Sequence, residues 1–220
     1  MRSEIRMTKR RERDLFGNPI KVRRPRYEWS LSRAEQSTVH VRAARVRWLA
    51  SQLPRGRRYM MPSETFYVFD EAKSSYVYGC FVATTILCGA FIEHWLAGQL
   101  QDFGFRKEAR GGLAAIVSCC KKNGFLNELI LKRVDRLRAI RNPFVHLKEF
   151  EHQQTIGQRT LGTGRHPFAV MEDDARDSLV TMYAVANTPL VRPGAKAPRR
   201  QPGPPSHLMA ALGGRGSKRV

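Results

Sequence analysis

Apolar residues recur along this chain at intervals of three and four, the spacing that lines up one face of a helix. Leu126, Ile130, Val134 and Leu137 form the clearest run, and Arg141 falls on the same face four residues later. That register aims a guanidinium at the core. Val39, Ala43, Val46, Ala50 and Leu53 make another face, flanked by Arg42 and Arg45. It predicts a helix over residues 31–53 capped by Ser30 or Ser32. Pro54 and Gly56 end that helix, and a loop carrying Arg57 and Arg58 leads to Pro62 and Ser63. A further helix starts around Glu64 or later, includes residues 75–100 as the central staff of a bundle, and stops at Gly104.

Residues 113–122, LAAIVSCCKK, predict a short helix between Gly111-Gly112 and Asn123-Gly124, with lysines in its last turn. The helix of residues 126–141 follows. Residues 153–170 lack periodicity and hold three glycines, so they read as a surface loop. Arg159, Arg165 and His166 lie on it, and the loop is either a mobile connector or a flap that closes over nucleic acid. Glu172, Asp173 and Asp174 mark the N-terminus of a last helix, where acids complement the dipole, and Pro189 stops that helix after about Thr188.

The expected organisation is therefore all-α: a helical bundle over residues 30–188, a basic arm over 1–29, and a Pro-, Gly- and Arg-rich tail over 189–220 that is expected to be disordered. A chain of 220 residues is long enough to bury one real core. Charge sharpens the picture. Residues 1–58 hold 17 Lys and Arg against 5 acids, residues 59–188 hold 15 against 14, and residues 189–220 hold 7 against none. The formal net charge of +20 thus sits on the two ends and implies a polyanionic partner. Nucleic acid fits better than a membrane surface, because neither arm pairs its charge with a long apolar helical face. The plainer alternative is a pair of solvated tails. Arg23, Arg24 and Arg26 lie beside Tyr27 and Trp29, interleaving charge with stacking surface as single-strand binders do, unless the two rings dock the arm on the bundle.

Tyr76 to Ile92 is an uncharged stretch of 17 residues, but Gly79, Thr84, Thr85 and Gly89 dilute it and Glu93 and His94 follow. A buried bundle helix is the expected outcome, with no membrane span. Cys80, Cys88, Cys119 and Cys120 show no metal-ligand spacing, so neither a metal site nor a disulfide scaffold is expected. The N-terminus is charged throughout and lacks the apolar stretch of a secretion signal, which points to the cytoplasm.

The candidate chemistry lies in residues 141–146, RNPFVH. Pro143 has no N–H to donate and disfavours helical geometry at Asn142, so a continuous helix is expected to break or kink there. Asn followed by Pro also opens a helix, with Asn142 as N-cap and Pro143 as first helical residue. On that reading Arg141 and His146 occupy the two positions that meet across a helix start, where free N–H groups favour an anion. Arginine grips a phosphate bidentately and histidine moves protons near neutral pH, a pairing suited to phosphodiester chemistry without metal.

Arg141, Asn142 and His146 after an amphipathic helix resemble the Arg-x(4 to 6)-His signature of the HEPN superfamily, and the stretch of residues 70–96 is similar to the long helix of its members, with Glu93 as the matching acid. The resemblance covers residues 65–188. It implies an up-down helical bundle and an endoribonuclease that needs no metal or cofactor. In that role His146 acts as base or acid, Arg141 supplies the cation and Asn142 holds phosphate or ribose, while Arg23, Arg24, Arg26, Arg57, Arg58 and Arg165 bind RNA. Family ribonucleases pair two motifs across a dimer, so a homodimer with a composite site is implied, with 2′,3′-cyclic phosphate products. A toxin or defence effector with an antitoxin is one form of this reading. Glu93 or Glu149 is placed to orient His146, unless Glu93 instead neutralises Arg141 inside the bundle. Two alternatives stand beside cleavage: a silent module that binds RNA or nucleotide or docks a nucleotidyltransferase, and a structural ribonucleoprotein component. Pro143 is the feature that puts the working geometry of His146 in doubt.

Overall fold

Gly79 and Gly104 punctuate the middle of the chain, and the helices between and around them form the architecture. A computed structural model describes residues 26–52 and 59–191. Arg23, Arg24, Arg57, Arg58 and the 192–220 tail lie outside the described residues, as does the side chain of Arg26. The chain divides between Trp48 and Leu49 into two units. All regular structure among the described residues is helical: α1 (Arg26–Gln52), α2 (Ser63–Tyr78), α3 (Phe81–Asp102), α4 (Arg106–Ala109), α5 (Gly112–Lys122), α6 (Glu128–Val145), α7 (Ile156–Thr163) and α8 (Pro167–Ala186).

Helix α1 starts earlier than residue 31, so Ser30 and Ser32 lie within it and do not cap it. Its apolar spacing also misleads: Val39 and Val46 are exposed, whereas Arg45 and Leu49 are buried. An arginine stem is largely hydrocarbon and takes cover as readily as valine.

The expected helix over residues 64–100 is two helices. Gly79 adopts the left-handed conformation (φ 81°), its N–H donates to the Tyr76 carbonyl (3.0 Å), and the Cys80 N–H donates to that of Ser75 (2.8 Å). This paired closure of a helix end needs a residue without Cβ. The uncharged run hid the break because apolar character continues across it.

Helix α3 is the centre of the bundle, packed by α2, α4, α5, α6 and α8. It is long and apolar enough to cross a membrane by length and composition. Yet Phe91, Ile92, Leu96 and Leu100 are fully buried among its neighbours. Burying each such side chain is worth roughly 1.5–3 kcal/mol. The ring of Phe69 on α2 lies 5.2 Å from Phe91 and 5.7 Å from Tyr183 on α8, tying three helices together.

Helix α5 matches its expected span, and α6 buries Ile130, Val134 and Leu137 after Asn127 caps it, its side chain accepting the Ile130 N–H at 2.9 Å. Leu126 is buried just ahead of the helix. Residues 153–170 are not a loop. Thr155 caps α7, Gly164 ends it in a left-handed turn, and His166 caps α8 through Nδ1, which accepts the Phe168 N–H at 3.2 Å. Arg159 holds α7 against α8 through two bonds to Asp174 (2.5 and 2.6 Å), which replaces the missing apolar periodicity. Glu172, Asp173 and Asp174 accordingly sit past the first turn of α8 and do not mark its start.

Candidate functional site

Helix α6 continues through Asn142 and Pro143 and ends at His146, which is its C-cap with extended backbone (φ −134°, ψ 130°). The expected helix start at Asn142 is therefore corrected to a helix end. Pro143 lies in the last turn, and its missing N–H deprives the Ala139 carbonyl of its helical donor. The Asn142 carbonyl accepts the His146 N–H at 2.9 Å and closes the turn. The positive end of a dipole is not available here, because a helix C-terminus presents carbonyls. His-Pro at 166–167, not Asn-Pro at 142–143, is where this chain opens a helix with a proline at its first position.

Arg141 does face the core, as its spacing requires, and its side chain is 21% exposed. The stem crosses α3 at Gly89: a Cβ built there would stand 2.8 Å from Arg141 Cδ and 3.3 Å from Leu137 Cδ2. Beyond that crossing Arg141 Nη1 lies 3.7 Å from Glu93 Oε2. This is an ion pair but too long for a hydrogen bond. No hydrogen bond from the guanidinium to any described residue forms, and Nε is buried without a partner. The cation is oriented while its donors stay uncommitted. Partly exposed pairs of this kind are worth on the order of 1 kcal/mol or less.

Glu93 has a second neighbour. Gly112, the first residue of α5, has φ 75°, and a Cβ there would lie 3.8 Å from Glu93 Oε1. The carboxylate thus stands between a guanidinium and the first residue of α5.

The His146 side chain is exposed and makes no contact with Arg141 through a hydrogen bond or ion pair within the chain. Leu147 and Phe150, on the segment that follows, are strongly exposed apolar residues. Glu149 lies after the end of α6, so no helical turn aligns it with His146.

No known protein family, curated protein or solved structure matches the chain.

Arg165 is paired with Asp173 at 2.6 Å, both side chains about half exposed, and Arg159 is taken up by the buried Asp174. Tyr27 and Trp29 are exposed on α1, with the Arg33 guanidinium 5.4 Å above the Trp29 ring. Among the described residues no three His, Cys, Asp or Glu side chains are grouped to hold a metal ion.

Gly89 and Gly112 went unread as site residues. Gly89 was detectable, since it stands four positions before Glu93 and therefore on the same helical face.

Proposed function

We propose that this chain binds RNA and, as a HEPN-like ribonuclease, cleaves it without metal. The observation that carries the reading is the Arg141 guanidinium, held beside Glu93 at 3.7 Å with its N–H donors unspent, five positions from a solvent-exposed histidine. A positioned cation with free donors is what a phosphate with growing negative charge requires. His146 removes the 2′-hydroxyl proton or protonates the leaving 5′-oxygen, and attack of the 2′-oxygen on phosphorus leaves a 2′,3′-cyclic phosphate. Ribonucleases of the kind this chain resembles pair two motifs across a dimer, so the reaction centre on this reading is shared by two copies. Exposed Leu147 and Phe150 next to His146 offer apolar area for that second copy. Exposed Tyr27 and Trp29 with Arg33 supply stacking surface for single-stranded RNA.

The test is incubation of the full chain with single-stranded RNA in EDTA, with analysis of product ends. Cutting to cyclic phosphate termini is expected, and Arg141→Ala and His146→Ala each abolish it while leaving RNA binding within a few-fold. Retained cutting in His146→Ala overturns the assignment.

The exposed His146 at the end of α6, with no side-chain hydrogen bond to a described residue, favours a second reading, a catalytically silent RNA-binding module. Tight RNA binding with no cleavage by the unmodified dimer would establish that reading in place of the first.

A further inference from the structure

The groove between α6 and α8 holds a cavity of about 210 Å³ whose walls include Arg133, Arg136, Leu137, Ile140, Asp177 and Ser178. Its wall includes Leu137, which also meets α3 at Gly89, whereas Arg141 does not line it. Ser178 is 1% exposed, and its Oγ has no hydrogen-bond partner among the described residues. A serine within a helix ordinarily turns its hydroxyl back to the carbonyl four residues earlier. Thr181, one turn on, does this to the Asp177 carbonyl at 2.8 Å. Ser178, which lines the cavity, instead keeps a buried hydroxyl without a partner.

Charge at the rim is nearly but not fully matched. Arg136 Nη2 pairs with Asp177 Oδ2 at 2.9 Å, whereas exposed Arg133 forms no ion pair among the described residues. One positive charge therefore remains. A singly charged anion suits that balance better than a doubly charged one, which would press against the Asp177 carboxylate. Leu137 and Ile140 provide an apolar wall for carbon substituents on the anion. The volume falls below the roughly 300–1,000 Å³ of drug-sized pockets, so the ligand is a single small group.

We propose that this cavity is a phosphodiester-binding site in which Arg133 grips the charged oxygens and the Ser178 hydroxyl donates to one of them. The diester comes from an RNA strand or from a free small molecule, and only the first source rests on the RNA reading above.

The experiment is an NMR titration of the isotopically labelled full chain with dimethyl phosphate, with neutral trimethyl phosphate, and with a short single-stranded oligoribonucleotide. Saturable shifts of the Asp177 and Ser178 amides are expected with dimethyl phosphate and not with its neutral counterpart. Arg133→Gln, a change at an exposed position, is expected to weaken binding about tenfold, the loss typical of one charge-assisted contact. Ser178→Ala is expected to weaken it by a smaller factor. The same shifts with the oligoribonucleotide identify the strand as a source, and shifts with dimethyl phosphate alone identify a small diester. Absence of saturable shifts at Ser178 with both anionic probes, or unchanged affinity in Arg133→Gln, overturns the site. RNA that shifts Ser178 but stays uncut defeats the nuclease reading alone, and RNA that is cut while neither anionic probe shifts Ser178 defeats this site alone.

Discussion

The stem of Arg141 lies directly over Gly89, so close that a Cβ at Gly89 would stand 2.8 Å from Arg141 Cδ. The arginine reaches Glu93 only because α3 presents no side chain at the crossing. Gly89→Ala is accordingly expected to destabilise the fold by about 1–3 kcal/mol, the usual cost of overpacking. Thermal melting checks this, and the double variant Gly89→Ala, Arg141→Ala should recover much of the loss, leaving only the milder crowding by Leu137 Cδ2 at 3.3 Å. A single variant as stable as the parent chain would mean that the stem runs elsewhere.

The pair that holds α7 should behave differently. Asp174 is 4% and Arg159 19% exposed at the side chain, and two short bonds join them. Breaking a buried pair from one side costs roughly 3–5 kcal/mol, and the residual exposure of Arg159 places Asp174→Asn toward the lower end. Hydrogen exchange should show Ile156–Thr163 opening ahead of the remaining helices, since none of its residues is buried. Uniform loss of protection over all helices would contradict this.

Both cases bear on what a sequence discloses. Leu126, Ile130, Val134 and Leu137 announced their buried face because burial repeats with the helical period, and Arg141 followed by register alone. Helix α7 gave no such signal, since a salt bridge and not an apolar stripe attaches it. At Pro143 two local rules competed, helix breaking and helix opening, and neither won: four turns of packed helix before it carried the chain through to His146. The Glu93 pairing was legible as one of two alternatives, while the 3.7 Å separation that leaves the guanidinium donors free depends on where Gly89 puts the stem.

Pro143 itself is a measurable weakness. It supplies no N–H to the carbonyl of Ala139, so Pro143→Ala adds a bond in the last turn of α6. A gain of about 1 kcal/mol is expected, the net worth of one backbone hydrogen bond. Urea unfolding reads it directly. A fall in stability would show that the proline ring holds the turn at His146.

The thiols should separate by burial. Cys80 is exposed and free, whereas Cys88, Cys119 and Cys120 are buried and free. A thiol reagent applied to the native chain is expected to modify Cys80 first. Burial pushes the Cys88 thiol up and raises Cys120 from 9.0 to about 12. A group whose folded value is raised stabilises the fold below its unfolded value and loses that contribution as pH climbs toward the folded one. Stability should therefore hold up to about pH 9 and decline between 9 and about 12. Tyr183, also raised by burial, adds to the decline. Denaturant unfolding across that range should show a shallower fall for Cys120→Ala.

Gly79 has a consequence for how two copies meet. The left-handed turn at φ 81° folds α2 back onto α3 within one chain. A β-branched residue at that position resists the turn, and an unbroken rod over residues 63–102 would extend about 60 Å at 1.5 Å per residue. Its first half would then leave its own bundle and occupy the place of α2 in a neighbour. Gly79→Val is expected to give a reciprocally exchanged dimer that forms slowly and does not dissociate on dilution, so that one missing Cβ keeps each bundle its own.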